Sequence, residues 1–360
     1  MENEENSSYF RGRGAQVNTH NKFLKNTYVT EHDEVLDEPL LSDAKTQVFI
    51  ETPKKIINLV KSPDIPAMYS MNPYQGCEHG CIYCYARNTH EYWGYSAGLD
   101  FERKIIAKPN APQLMEKQFM NKNWVVSPIM FSGNTDCYQP LERKMKITRQ
   151  MLEVLVKYRH PAGMITKNSL IMRDIDLLQE LAKYNLVHVM ISITSLKEEL
   201  RLKMEPRTAT ARNRLKVMEQ LNKAGIPVGV MTAPIIPGLN SDEVHDLIKA
   251  AADHGADSAG YTIVRLNGAI ESIFKDWIHK NFPDRAEKVL HQIADAHGGQ
   301  VNDSRFGTRM GGEGNMVKAI RQVFKMAVKK YLTNRKRMEF DLTAFRRPGE
   351  VKQMELFSED

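Results

Sequence analysis

Cysteine is scarce in this chain, with four among 360 residues. So sparse a set excludes the disulfide framework of a small secreted domain. Long apolar runs are missing as well. Nothing approaches the ~20 consecutive apolar residues of a membrane helix, and 42% hydrophobic with 26% charged residues is the composition of a water-soluble protein. A secretion signal is not to be seen: MENEENSSYF carries acids where a basic and then an apolar segment belong, which predicts a cytoplasmic location. Internal repeats and low-complexity tracts are absent. Overall charge is modest at +6 and does not by itself argue for nucleic acid. Its distribution is uneven, however. Between Arg305 and Arg347 twelve Lys or Arg stand against three acids, Glu313, Glu339 and Asp341.

What is present is a concentration. Three of the four cysteines fall within NPYQGCEHGCIYCYA, residues 72–86, as Cys77, Cys81 and Cys84 at spacing C-x3-C-x2-C with aromatics interleaved. In a reducing compartment such a cluster reads as a metal or catalytic site. Two readings stay open on spacing alone. A structural zinc site wants four ligands, usually in paired C-x2-C or C/H sets; one such pair exists, and His79 or Cys137 is the candidate for the remaining place. A [4Fe–4S] cluster ordinarily takes a cysteine on every iron, so three leave one iron open for chemistry.

Along the chain, residues 1–60 are polar and mixed in sign, with RGRG at 11–14, and predict a partly irregular extension. Short β-branched runs then alternate with longer patterns of apolar residues at i, i+3 and i+4. The strand candidates are 66–72, 124–133, 162–168, 188–194, 227–236 and 258–266, with helices over 141–159, 174–185, 209–225 and 241–256. Ser241, followed by Asp242 and Glu243, predicts a helix start, and Gly225 a helix end. Such alternation implies right-handed crossovers and a parallel sheet. Six units fall short of a closed eight-stranded barrel. The expectation is an α/β core over 61–268, a partial (β/α)6 barrel, then a helical C-terminal region over 269–345 and a tail at 346–360. In the helix predicted over 316–332 an apolar stripe opposes Lys318, Arg321, Lys325 and Lys329, a cationic face open to phosphates through 337.

The cysteine motif, with Tyr83 just before the last cysteine, resembles that of the radical S-adenosylmethionine (SAM) superfamily, and NPYQGCEHGCIYCYAR resembles more narrowly the branch related to spore photoproduct lyase. The resemblance covers residues 66–266 and implies that Cys77, Cys81 and Cys84 ligate a [4Fe–4S] cluster. It also implies that SAM chelates the open iron and is cleaved to a 5′-deoxyadenosyl radical, the electron coming from an external flavodoxin- or ferredoxin-type reductant. Residue by residue, Tyr83 matches the aromatic near adenine and Tyr85 a second aromatic of the branch. The superfamily's Gly-Gly-Glu segment is replaced by FSGNTDCYQPLE, residues 131–142, so Thr135 and Asp136 inherit the SAM-contact role. The GGE at 311–313 lies beyond the barrel pattern and is not that segment. Lys167 and Ser192 match residues that hold the SAM carboxylate and ribose. Ala233 and Pro234 open the segment that lies beside adenine. Arg207 in EPRTA is a candidate anion donor. The branch uses a cysteine after the second strand as hydrogen donor; its position falls near Gly133 here, and Cys137 stands a few residues later. The substrate is unassigned. A DNA or RNA substrate, or a non-catalytic zinc or iron–sulfur nucleic-acid-binding protein, are the alternative readings.

Overall fold

Six short runs with an apolar residue at every second position set the frame. In the computed structural model, which describes residues 10, 12–23, 45–65, 68–335 and 337–349, they form strands β1 (Tyr69–Met71), β2 (Ile129–Phe131), β3 (Ala162–Thr166), β4 (Val187–Ser192), β5 (Val228–Ile235) and β6 (Ala259–Ile263). All five neighbouring pairs are parallel, in chain order. A two-residue strand, Asn58–Leu59, adds antiparallel to β1. The sheet therefore ends on Asn58–Leu59 at one edge and β6 at the other, an open, partial barrel.

Parallel neighbours need a crossover, and here each is a helix. These are α1 (Ala111–Phe119), α2 (Ile147–Tyr158), α3 (Ile175–Ala182), α4 (Ala211–Lys223) and α5 (Val244–Asp253). Their stripes, such as Met151, Leu152, Leu155 and Tyr158 on α2, meet Val187, Val189, Ile191, Val228 and Val230 of the sheet in one core. Gly225 ends α4 with φ of +75°, a left-handed turn suited to glycine. Ser241 does not cap α5. It sits in a 3-10 turn, where its hydroxyl accepts from the Gly238 amide at 3.3 Å, and Glu243 precedes the helix. Glu243 instead accepts from Ser195 Oγ and from the amides of Leu196 and Lys197, fixing the loop after β4.

The other sheet face carries His188, Met190 and Ser192 on β4 and Gly229 and Met231 on β5. Three methionines there each lie opposite a glycine of the next strand: Met130 and Gly163, Met190 and Gly229, Met231 and Gly260. A Cβ on Gly229 would stand 2.7 Å from Met190 Sδ, so the glycine makes room for the thioether. This apolar, half-exposed face lines the barrel interior.

The chain beyond β6 is helical: α6 (Ile270–Asn281), α7 (Ala286–Asp295) and α8 (Gly314–Tyr331). Helices α6 and α7 build a second core with Cys81, Ile82 and Tyr83 over the strand C-termini. Helix α8 buries Val317, Ile320, Phe324 and Ala327 in the first core, beside α5. A small sheet escaped the sequence reading. Lys104–Ala107 pairs with Gln47–Ile50 on one side and with Tyr74–Gln75 on the other, and so anchors the chain just ahead of Cys77. No described helix is long and apolar enough to cross a membrane.

Candidate active site

The cysteine loop leaves the C-terminal end of β1 and lies over the barrel mouth. Cys77 and Cys81 are buried and Cys84 half-buried, all as free thiols. Burial, and then the Asp136 carboxylate, pushes Cys77 well above its ordinary pKa, and burial pushes Cys81 up to about 12. An all-thiol donor set is the chemistry of an iron–sulfur site. His79 is not free to complete a zinc tetrahedron. Its Nδ1 faces Asp136 Oδ2 at 3.3 Å and its Nε2 meets Asn168 Nδ2 at 3.1 Å. Among the described residues no three His, Cys, Asp or Glu side chains gather as a single metal ion would require. What fits a cluster held by three thiolates is the donor chemistry, three thiols on one loop.

The segment after β2 grips this loop. Thr135 Oγ1 donates to the Gly76 carbonyl at 2.6 Å, and Gln139 Nε2 donates to the same carbonyl at 3.2 Å while its Oε1 accepts from the Glu78 amide at 3.1 Å. Asp136 accepts from Thr166 Oγ1 at 2.8 Å and from the backbone amides of Lys167 and Tyr138, each at 2.9 Å. Burial opposes its ionisation, but His79 and these donors prevail and lower its pKa to about 2. Tyr85, half-exposed, reaches across to donate to the Gly133 carbonyl at 2.5 Å.

A second group gathers at the ends of β3 and β4. Lys167 Nζ donates to Ser192 Oγ at 2.9 Å and stands 5.8 Å from the centre of the Tyr83 ring. The buried Tyr83 phenol, its pKa raised well above the ordinary value by burial, donates to Glu205. Glu205 also accepts from Thr194 Oγ1 and from the Arg214 guanidinium, both at 2.5 Å, and Arg214 donates to the Ser192 carbonyl at 2.7 Å. Burial raises the Glu205 pKa, but Arg214 and then Lys167 bring it down to about 2. Ala233 and Pro234 close β5 at the mouth, where Asn240 Nδ2 donates to the carbonyls of Pro234 and Thr194.

Thus Tyr83, Lys167 and Ser192 form one contact group, and Thr135 and Asp136 a second that clamps the cysteine loop. Cys137 stands apart, fully buried in the first core with no exposed face. The amide of Arg207 donates to the His79 carbonyl. Its guanidinium lies 3.6 Å from Glu78 and lines a cavity of about 440 Å³ with Arg143, Lys144 and Asn168. Sequence reasoning missed Gln139, Glu205 and Arg214. Arg214 did leave a signal, since it occupies a core position in the stripe Ala211, Arg214, Val217, Met218 and Leu221, where a charge needs a buried partner.

The model of the Radical SAM superfamily matches residues 71–251. This chain belongs to that superfamily. Members of the radical SAM superfamily use a [4Fe–4S] cluster and SAM, which agrees with the donor set above. An uncharacterised protein of Mycobacterium tuberculosis is 30% identical over 222 residues, 61% of this chain and 65% of the relative. An uncharacterised protein of Methanocaldococcus jannaschii is 28% identical over 252 residues, 70% of this chain and 90% of the relative. The chain therefore spans slightly less than two thirds of its mycobacterial relative. Among solved structures, spore photoproduct lyase complexed with dinucleoside spore photoproduct superposes with a TM-score of 0.59 at 15% identity, over 82% of each chain. That likeness is one of fold.

Proposed function

We propose that the chain is a cytoplasmic radical SAM enzyme whose Cys77, Cys81 and Cys84 hold the cluster and whose mouth holds SAM. When bound, the cluster and SAM supply a one-electron reductive cleavage that yields a 5′-deoxyadenosyl radical able to abstract hydrogen, the electron coming from an external flavodoxin- or ferredoxin-type carrier. The chain's own residues bind and orient. Lys167 keeps two of its three N–H groups free of Ser192 and offers them to a carboxylate. Tyr83 presents a ring fixed by Glu205, a surface for adenine. Asp136, ionised and held from four sides, sets the β2 loop against the cysteine loop through His79.

The observation that carries the reading is that Cys77, Cys81 and Cys84 share one loop at the same end of an open parallel barrel as the Tyr83, Lys167 and Ser192 group. Anaerobic reconstitution tests it: iron and sulfide near four each per chain, with 5′-deoxyadenosine formed from SAM under dithionite, is the expected result. Stoichiometric zinc and no SAM cleavage overturns it. Nucleic acid as substrate is a second reading, supported by the exposed Lys318, Lys325, Lys329 and Lys330 on α8.

A further inference from the structure

The RGRG run does more than precede the fold. Residues 12–23 lie across the cysteine loop and across residues 91–102. The Gly14 and Ala15 amides donate to the two carboxylate oxygens of Glu102 at 3.1 and 2.8 Å, and Arg13 donates to the Glu102 carbonyl at 2.7 Å. Further along, the Thr19 amide donates to Ser96 Oγ at 2.7 Å, and Asn21 Nδ2 donates to the carbonyls of Glu91 and Tyr95 at 2.8 and 3.1 Å. Glu102 is fully buried and pairs at 2.5 Å with Arg87, also fully buried. Arg87 in turn donates through Nε to the Cys81 carbonyl at 3.0 Å and through Nη1 to the carbonyls of Ala97 and Gly98. One buried carboxylate thus ties the N-terminal segment to the backbone of a cysteine.

The packing is equally tight. A Cβ on Gly14 would stand 1.8 Å from the carbonyl oxygen of Gly80, between Cys77 and Cys81, where no atom fits. Gly80 itself has φ of +69° and lies against the Glu102 carboxylate. Ala15, fully buried, belongs to the same apolar cluster as Cys81, Ile82 and Tyr83.

We infer that residues 12–23 are a strap belonging to the cofactor site, with Gly14 and Glu102 as positioning residues that seal the thiol loop from solvent. A buried ion pair is retained at low cost only while its remaining lone pairs are satisfied. The strap satisfies two of them, and without it water reaches Glu102 and, through Arg87, the loop that carries Cys81. The inference concerns the cover over the thiols and holds whether or not the proposed radical chemistry does.

Its test needs no cofactor. In the folded, metal-free chain, native-state alkylation with iodoacetamide is followed cysteine by cysteine by mass spectrometry. Gly14→Ala adds one methyl group. It is expected to speed labelling of Cys77 and Cys81 about tenfold or more, since local opening sets the rate, while Cys137, buried in the other core, stays protected. His20→Ala, at an exposed strap position, is expected to change nothing. Unchanged labelling of Cys77 and Cys81 overturns the inference. If Cys137 accelerates in parallel, Gly14→Ala has unfolded the chain and Asn21→Ala decides. That variant loses only the three side-chain bonds of Asn21 at the far end of the strap, to the Glu91 and Tyr95 carbonyls and from the Phe23 amide, and it must expose Cys77 and Cys81 with Cys137 still protected, or the inference fails. In the reconstituted protein, faster bleaching of cluster absorbance in air is the matching readout.

Discussion

Glu205 shows how one residue organises a site without touching the chemistry. It is fully buried, yet it stays ionised because Arg214 lies 2.5 Å away and Tyr83, Thr194 and Thr208 donate to it. Exchanging it for glutamine keeps the shape and removes the charge, leaving the Arg214 guanidinium, 1% exposed, without a counter-ion. Breaking a buried pair in this way costs about 3–5 kcal/mol. Urea unfolding of Glu205→Gln should therefore show an unfolding free energy lower by that amount, with SAM affinity falling because Tyr83 loses its anchor. Tyr83→Phe removes one hydrogen bond and should cost only about 1–2 kcal/mol. A Glu205→Gln variant as stable as the parent would show that the network is not organised around this carboxylate.

At the scale of elements, what the sequence disclosed followed from local periodicity. The six parallel strands and α2 to α5 fall where alternating and i, i+3, i+4 patterns place them, and the cysteine loop follows the first strand as its spacing implied. Of the first strand candidate, residues 66 and 67 lie outside the described residues. The misses have a common cause in pairing over long separations. Gly14 meets Glu102 across 88 residues, Tyr83 meets Glu205 across 122, and the short strands Gln47–Ile50 and Tyr74–Gln75 meet only through Lys104–Ala107. No repeat in the chain marks such partners. Ser241 was misjudged for a different reason: a serine ahead of two acids signals a cap, but Gly238 claimed its hydroxyl and Glu243 was drawn to the loop after β4. Helix α8 repays its pattern with a prediction. Lys318, Lys325 and Lys329 lie opposite the buried Val317, Ile320, Phe324 and Ala327, and none makes an ion pair among the described residues. Reversing all three to glutamate should leave thermal stability nearly unchanged, as exposed substitutions generally do. If nucleic acid is the partner, the salt dependence of duplex binding should lose about three units of slope. An unchanged slope would remove α8 from any nucleic-acid interface.

Across the whole molecule, two neutral histidines make stability depend on pH. His160 is buried, stacked on Phe119 at 4.4 Å, accepts from Trp124 Nε1 at 3.1 Å and donates through Nδ1 to the Pro161 carbonyl. His90 is buried between the rings of Tyr95 and Phe101. Burial lowers both to about 4 from the ordinary 6.5, outweighing Asp100 beside His90 and the carbonyl beside His160. Between those values the unfolded chain binds protons that the folded chain refuses, so the contribution is intact above about 6.5 and is lost as pH falls toward 4. The loss is about 2 kcal/mol per histidine by pH 5. Asp136 and Glu205, both held near 2, lose their contribution as pH falls from the ordinary carboxylate range at about 4 toward 2, below this window, which is left to the histidines. Thermal unfolding of the metal-free chain should accordingly show a melting temperature that falls steadily from pH 7 to pH 5. In His160→Gln, which keeps an acceptor for Trp124 and cannot titrate, that fall should shrink by roughly half of its 4 kcal/mol total. A melting temperature flat across this range, or a slope that His160→Gln leaves unchanged, would mean that the interior admits the protonated ring.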